Sequence, residues 1–228
     1  MSAEFVIDAY LEAVKNAGSM VGPVFFRLFS KYTSEFVSKK LGETPPQLDS
    51  LEQVKGYLVD VSNKRCETPL EAMHYVSNAM ACGVCQAEAY IQGAMGPISR
   101  RVIRSSVEGT MSLTGLMEEA GKVDAYTGAR KFLDVITTTV QYFNPNDVSL
   151  ERGGNNKLIF DITHCPGSEV CRLLQSQGIK RVIGEECQIL SMLGLSVEFL
   201  IRKTVDYKVL SKQLGASDCK MKGNILVT

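Results

Sequence analysis

The chain has 228 residues, 45% of them hydrophobic, and its 25 basic and 25 acidic residues give a formal net charge of +0. A chain of this size and composition can bury a core, and the balanced charge favours neither nucleic acid nor an anionic membrane as partner. No apolar run is long enough to span a bilayer, and the first residues lack the basic region of a secretory signal. We therefore expect a cytoplasmic protein whose seven cysteines are reduced thiols.

Apolar residues at helical spacing dominate the first part of the chain. They predict helices over 3–17, 22–41, about 50–61, 69–92, 98–119 and 124–142. The second helix carries an aromatic stripe from Phe25 to Val37 that is wider than a lone surface helix needs. This stripe predicts a homodimer built on the N-terminal helices, and packing inside the chain is the alternative.

The pattern changes after Asn144, where short β-like runs begin. Strands are expected at 148–152, 157–163, 205–210 and 219–227, with helices from Pro166 to near Gly178 and over 185–202 between them. This ββααββ order predicts an α+β fold with an antiparallel sheet of about four strands and helices on one face. Residue alternation on the second strand and helical spacing on the second helix predict either a ligand pocket or plain core, lined by Phe160, Ile162, Cys187, Leu190 and Leu193.

Cysteines supply most of the candidate chemistry. Cys82-Gly-Val-Cys85 falls in the middle of a predicted helix among alanines, which favours close packing over redox chemistry. His164 and Cys165 end a strand just before a helix, where a thiolate is stabilised, so Cys165 or Cys187 is a candidate nucleophile with His164 as its base. The alternative is a turn with buried thiols.

A further possibility is convergence of three thiols, because antiparallel topology brings the ends of the module together. Cys165, Cys187 and Cys219, with Glu186 or His164, would then suit zinc.

Residues 125–225 resemble the vinyl-reductase-type small-molecule-binding domain, which shares a superfamily with transport-protein-particle (TRAPP) subunits. They are also similar to the family of aminothiazoline-carboxylate hydrolases. The corresponding features are the helix 124–142, the hairpin to Cys165, Cys187 with Gly194, the strand 205–210, and the turn and strand from Gly215 to Met221. The stretch Val205–Leu214 lacks the Glu and Cys usual in the family, and Met221 replaces an aromatic residue.

The resemblance implies a module at 124–228 that binds a small, largely apolar ligand, with residues 1–123 as a dimer interface or pocket cover. No cofactor is expected, and zinc is the alternative. The function predicted first is therefore small-molecule binding or sensing rather than catalysis. Two alternatives remain open, a cysteine-dependent hydrolase and a non-catalytic subunit of a larger assembly.

Overall fold

The structure, a computed structural model, describes residues 3–93, 96–154, 156–179, 187–215 and 218–228. It confirms the predicted α+β class, with helices mostly before a C-terminal, four-stranded antiparallel sheet. The helices are α1 Ala3–Gly18, α2 Pro23–Leu41, α3 Leu51–Arg65, α4 Pro69–Gln92, α5 Pro97–Leu113, α6 Ala125–Asp134, α7 Ser168–Ser176 and α8 Gln188–Ile201. The strands are β1 Val148–Gly153, β2 Lys157–Ile162, β3 Val205–Leu214 and β4 Cys219–Val227.

Two compact units divide the chain. Unit 1 comprises Met1–Val102 and Val170–Ile183, and unit 2 comprises Ile103–Glu169 and Gly184–Thr228. The boundary passes through α5, and most of α7 belongs to unit 1 although the sequence places it among the strands of the C-terminal module. In the part of the chain that the structure describes, no helix combines the length and the apolar character needed to cross a lipid bilayer.

The aromatic stripe of α2 packs inside unit 1. Phe25 and Phe29 are fully buried in its core. Gly83 of α4 lies so close to α2 that a Cβ there would be 2.1 Å from the Thr33 hydroxyl oxygen and 2.9 Å from the Phe29 carbonyl oxygen. The stripe therefore serves the partner helix of the same chain, and the predicted homodimer no longer has this stripe as support.

Side chains that accept hydrogen bonds begin several of the helices of unit 1. Thr68 caps α4 by accepting the Glu71 N–H at 3.1 Å, an arrangement that the capping-box sequence Thr68-Pro-Leu-Glu71 predicts. The first turn of α5 is capped from a different helix, because the fully buried Glu88 carboxylate accepts the N–H groups of Ile98 and Ser99 at 2.6 and 3.0 Å. Buried helix starts leave unpaired N–H groups, and Glu88 satisfies two of them.

Two helices are shorter than the sequence predicts. α5 ends at Leu113, ahead of Gly115, which has a left-handed φ of 75°. α6 ends at Asp134 and continues as a π-helical turn over Val135–Thr139. The hydroxyls of Thr137 and Thr138 donate to carbonyls of the preceding turn, and this back-bonding disturbs regular helix geometry.

The sheet of unit 2 has the strand order β1-β2-β4-β3. Alternation along β2 buries Leu158, Phe160 and Ile162 as predicted. The pairing of β3 with β4 is irregular between Val209 and Ser211, so Leu210 is an extra residue in the ladder.

Helix α8 packs on the covered face of this sheet. A Cβ at Gly194 would lie 2.4 Å from the Tyr207 ring of β3, and a Cβ at Gly223 of β4 would lie 2.7 Å from Leu190. The two glycines therefore allow the helix and the sheet to approach closely.

Candidate functional site: a buried cluster of three thiols

Three separate elements of unit 2 bring Cys165, Cys187 and Cys219 together, and we call these residues the thiol cluster. Cys165 follows β2, Cys187 is the N-cap of α8 and Cys219 is the first residue of β4. The backbone N–H of Cys165 donates to the Cys219 carbonyl at 3.0 Å, which ties the end of β2 to the start of β4. Their exposed fractions are 5%, 1% and 0%, so the three residues lie inside the unit.

Hydrogen bonds link the three sulfur atoms. The Cys165 thiol bonds to the sulfur of Cys187 and to that of Cys219 and lowers the pKa of each, to about 6 and about 7 respectively. A thiol has one proton to donate, so Cys165 serves one sulfur at a time. A thiolate at Cys187 also raises the pKa of Cys219. The cluster therefore favours a single thiolate.

Cys187 is the better place for that thiolate. Besides Cys165, the backbone N–H groups of Ile189 and Leu190 lower its pKa, whereas burial raises it. No side-chain hydrogen bond caps α8, so these N–H groups act through their proximity to the sulfur at the N-cap. They belong to the first turn of α8 and have no partner within the helix. A cysteine in the middle of a helix has no such N–H groups nearby.

Lys212 of β3 adds positive charge to the cluster. It lowers the pKa of both Cys187 and Cys219 through its charge, and it pairs with Met221 across the sheet. Lys212 was not among the predicted site residues, because the strand was expected to end at residue 210. The polar residues from Ser211 to Gln213 could have indicated that the strand continues. They extend it to Leu214, with one break in the alternation of buried and exposed side chains.

The residues predicted to line a pocket all lie in the hydrophobic core of unit 2. Gly194, which offered room beside the helix, is instead filled by Tyr207. The role of the predicted residues as ligand contacts remains a prediction, and none of these side chains exposes more than 1% of its surface. The predicted residues are Phe160, Ile162, Cys187, Leu190 and Leu193.

His164 lies apart from the cysteines. Its side chain is 63% exposed, and its Nδ1 is 2.8 Å from the Asp147 carboxylate oxygen. Because neighbouring residues at the end of β2 face opposite ways, His164 faces solvent while Cys165 faces the core. The geometry therefore orients His164 toward Asp147 rather than toward a thiol.

The predicted zinc ligands are incomplete in the described part of the chain. Glu186 lies outside the described residues, as does the predicted helix start at Glu185. Within the described ranges, no group of three or more His, Cys, Asp or Glu side chains has the geometry to hold a metal ion. The thiol cluster is thus a hydrogen-bonded group in this structure.

Comparison with known proteins finds similarity in structure alone. No family model and no curated protein match the chain. One similar solved structure, from a study of heme distortion in the H-NOX family, is 9% identical, covers 97% of this chain and 93% of its own, and has a TM-score of 0.44. The I5F mutant of T. tengcongensis H-NOX is 11% identical, covers 100% and 98%, and has a TM-score of 0.43. The oxygen complex of an oxygen-binding H-NOX domain related to soluble guanylate cyclases is 9% identical, covers 92% and 94%, and has a TM-score of 0.39.

These structures correct two expectations. The resemblance to vinyl-reductase, TRAPP and aminothiazoline-carboxylate hydrolase families is wrong, because the similar structures are H-NOX domains. The expectation of no cofactor, with zinc as alternative, is also contradicted, because one of these structures is described by its heme and another by its bound oxygen. The loose motifs around Cys165, Cys187 and Cys219 reflect thiol packing, which no family pattern is needed to explain.

Heme fits poorly inside unit 2 as it is packed here. Heme iron takes a His, Cys, Met or Tyr ligand, and Cys187 is the buried thiolate candidate. A flat macrocycle would need a gap on the side of α8 that carries Cys187. That space is filled, because Tyr207 packs against Gly194 and Leu190 packs against Gly223. His164, the histidine of this unit, is exposed and bonded to Asp147. The described residues of unit 2 therefore provide no heme cradle.

Proposed function

We propose that this chain is a small-molecule-binding, sensory protein and that its ligand contacts the thiol cluster. The observation that carries the proposal is the sharing of hydrogen bonds by three buried thiols from three different elements. Buried titratable groups with shifted pKa values concentrate at functional sites, because apolar side chains would fill a purely structural core at lower cost.

The surroundings of the cluster favour a small ligand with an apolar body. Phe160, Ile162, Leu190 and Leu193 belong to the same core as Cys187 and offer carbon surface only. The polarizable sulfur of Cys187 would meet a soft or electron-poor end of such a ligand. Since these residues are closely packed, binding would require α8 to move from β4, and that movement would turn occupancy into a signal.

Native mass spectrometry of the full chain tests the proposal. We expect an added small-molecule mass on the wild type, its loss in Cys187→Ser, and its retention in Cys85→Ser, which alters a fully buried cysteine of unit 1. Added hemin, followed by its absorption spectrum, serves as a separate arm. A wild-type chain that carries no added mass, or a Cys187→Ser chain that keeps it, contradicts the proposal.

Leu190→Ala separates a ligand wall from plain core. Leu190 exposes 1% of its surface, so in a solid core its truncation should cost about 2–5 kcal/mol. If Leu190 instead lines a ligand site, the loss of stability should be smaller and ligand binding should weaken. A full core-sized loss with the bound mass unchanged would remove Leu190 from the site.

Cysteine-dependent chemistry is the second candidate, and the lowered pKa of Cys187 is the observation that favours it. A thiolate is the nucleophilic form, and the donors at the start of α8 stabilise it without a histidine. Alkylation by iodoacetamide as a function of pH tests this candidate. We expect Cys187 to react with a midpoint well below that of an ordinary thiol, and a midpoint near pH 9 would rule it out.

A further inference from the structure

A cavity in unit 2, apart from the thiol cluster, has no cysteine in its lining. It has a volume of about 690 Å³ and lies where the β1–β2 hairpin turn meets the start of α6 and the end of α8. This volume is within the range of small-molecule sites. The cavity is therefore large enough for a small organic ligand, and nothing in the argument for the thiol cluster depends on it.

Positive charge dominates the wall of this cleft. Arg152, Lys157 and Lys203 line it, and Asp124 is the carboxylate among its lining residues. Asp124 is already engaged as the N-cap of α6, where it accepts the N–H groups of Tyr126 and Thr127 at 3.0 and 3.1 Å. The helix start is thus satisfied by the protein itself, and the two lysines remain for a ligand.

The three cations are placed differently. The Arg152 guanidinium lies 4.4 Å from the centre of the Tyr126 ring and 3.7 Å from Asp124, which holds its planar fork in position. Among the residues that the structure describes, neither Lys157 nor Lys203 has a carboxylate within ion-pair distance. Two ammonium groups are therefore available beside a fixed guanidinium, a combination that suits an oxyanion.

The rest of the cleft offers carbon surface. Val123, Leu158, Ile201 and Val227 contribute to the wall, and Leu158 is a buried core residue. The floor is fixed by backbone hydrogen bonds, from Gly121 N–H to the Leu200 carbonyl at 2.7 Å and from Val227 N–H to the Asn156 carbonyl at 3.3 Å. A ligand with an apolar body and an anionic end matches both parts of this surface.

We infer that this cleft binds a small organic anion, a carboxylate or a phosphate ester, with its oxyanion on Lys157, Lys203 and Arg152 and its apolar body against the carbon wall. The inference goes beyond the proposed function because it adds a site that shares no residue with the thiol cluster. A failure of either one leaves the other untouched.

Calorimetric titration of the full chain with phenyl phosphate and with benzoate tests the inference, and the two probes distinguish a phosphate from a carboxylate ligand. Benzyl alcohol lacks the charge, and inorganic phosphate lacks the apolar body. We expect saturable binding of at least one aromatic anion, with benzyl alcohol and inorganic phosphate each at least about tenfold weaker. Equal binding of either control, or no binding of both anions at about 10 mM, overturns the inference.

Matched charge variants locate the site. The double variant Lys157→Gln with Lys203→Gln should weaken the bound anion at least about tenfold. The control Lys208→Gln with Lys220→Gln removes the same charge from exposed lysines outside the cleft and should change affinity less than about twofold. Thermal unfolding checks that both variants fold. Arg152→Lys keeps the charge but loses the planar guanidinium, and it should weaken binding severalfold. Equal effects of the two double variants on affinity would overturn the inference.

Discussion

Two helices of this molecule begin in buried surroundings, and different chemistry lies at their first turns. In unit 1 the start of α5 is capped by the Glu88 carboxylate, which α4 supplies and which pairs N–H groups that would otherwise be unsatisfied. In unit 2 no side-chain hydrogen bond caps α8, but the N–H groups of its first turn lower the pKa of Cys187 at the N-cap. The Cys187 sulfur therefore changes its charge near neutral pH. The comparison separates a hydrogen-bonded cap from a switchable charge at a helix start.

The largest effect is expected at the carboxylate cap. Glu88→Ala leaves the Ile98 and Ser99 N–H groups buried without a partner and should lower the free energy of unfolding by about 3–5 kcal/mol. Glu88→Gln keeps one acceptor oxygen and should lose less than half as much. Urea unfolding followed by circular dichroism measures both. Equal losses would show that packing volume, rather than capping, makes this carboxylate important.

The Cys187 sulfur should show its contribution to stability through pH. The pKa of Cys187 in the fold, about 6, is below its ordinary value of 9.0, so loss of the proton stabilises the folded chain. This contribution is complete above about pH 9, shrinks as the pH falls, and is lost near pH 6, with an upper bound of about 4 kcal/mol. The difference in unfolding free energy between wild type and Cys187→Ser should therefore grow from pH 6 to pH 9.

Cys85→Ser is the matched control for that experiment. Cys85 is as buried as Cys187 but lies in the middle of α4, where the backbone N–H groups are already paired within the helix. Its substitution should destabilise the chain by an amount that stays constant over the same pH range. A pH-independent difference for Cys187→Ser as well would contradict the switchable charge at Cys187.

The smallest effect concerns the packing that surrounds the unit 1 cysteines. Gly83→Ala places a Cβ 2.9 Å from a backbone oxygen of α2 and should cost about 1–3 kcal/mol. Gly56→Ala, on α3 with open space around it, should instead stabilise by up to about 1 kcal/mol. Differential scanning calorimetry measures the pair. Similar melting temperatures for the two variants would contradict the close approach of α2 and α4.

Local patterns predicted much of the fold. The Thr68 cap, the alternation of Phe160 and Ile162 and the succession of strands and helices along the chain depend on neighbours in sequence, and the structure has all three. The aromatic stripe of α2 was identified, but whether a second copy or α4 covers it depends on tertiary structure. The family resemblance depended on widely spaced cysteines and glycines, and such spacings do not fix which tertiary structure brings them together.

The site was only partly predictable for the same reason. The three cysteines come from the ends of different elements, and antiparallel topology suggested that they meet. The donors to Cys187 and the charge of Lys212 depend on where α8 begins and where β3 ends, which are the least predictable features of an element. The cleft with Lys157 and Lys203 joins residues far apart in sequence, and no local pattern marks it.

The extra residue Leu210 determines which side chains of β3 reach the thiols. Val205, Tyr207 and Val209 point to the covered face of the sheet, and a regular strand would continue with Ser211 and Gln213. With Leu210 outside the ladder, the alternation moves by one position, and Lys212 and Leu214 take the covered side. One inserted residue in an edge strand thus decides whether the sulfur atoms face a hydroxyl or an ammonium group. The acidity of the cluster is therefore a matter of strand register as much as of residue choice.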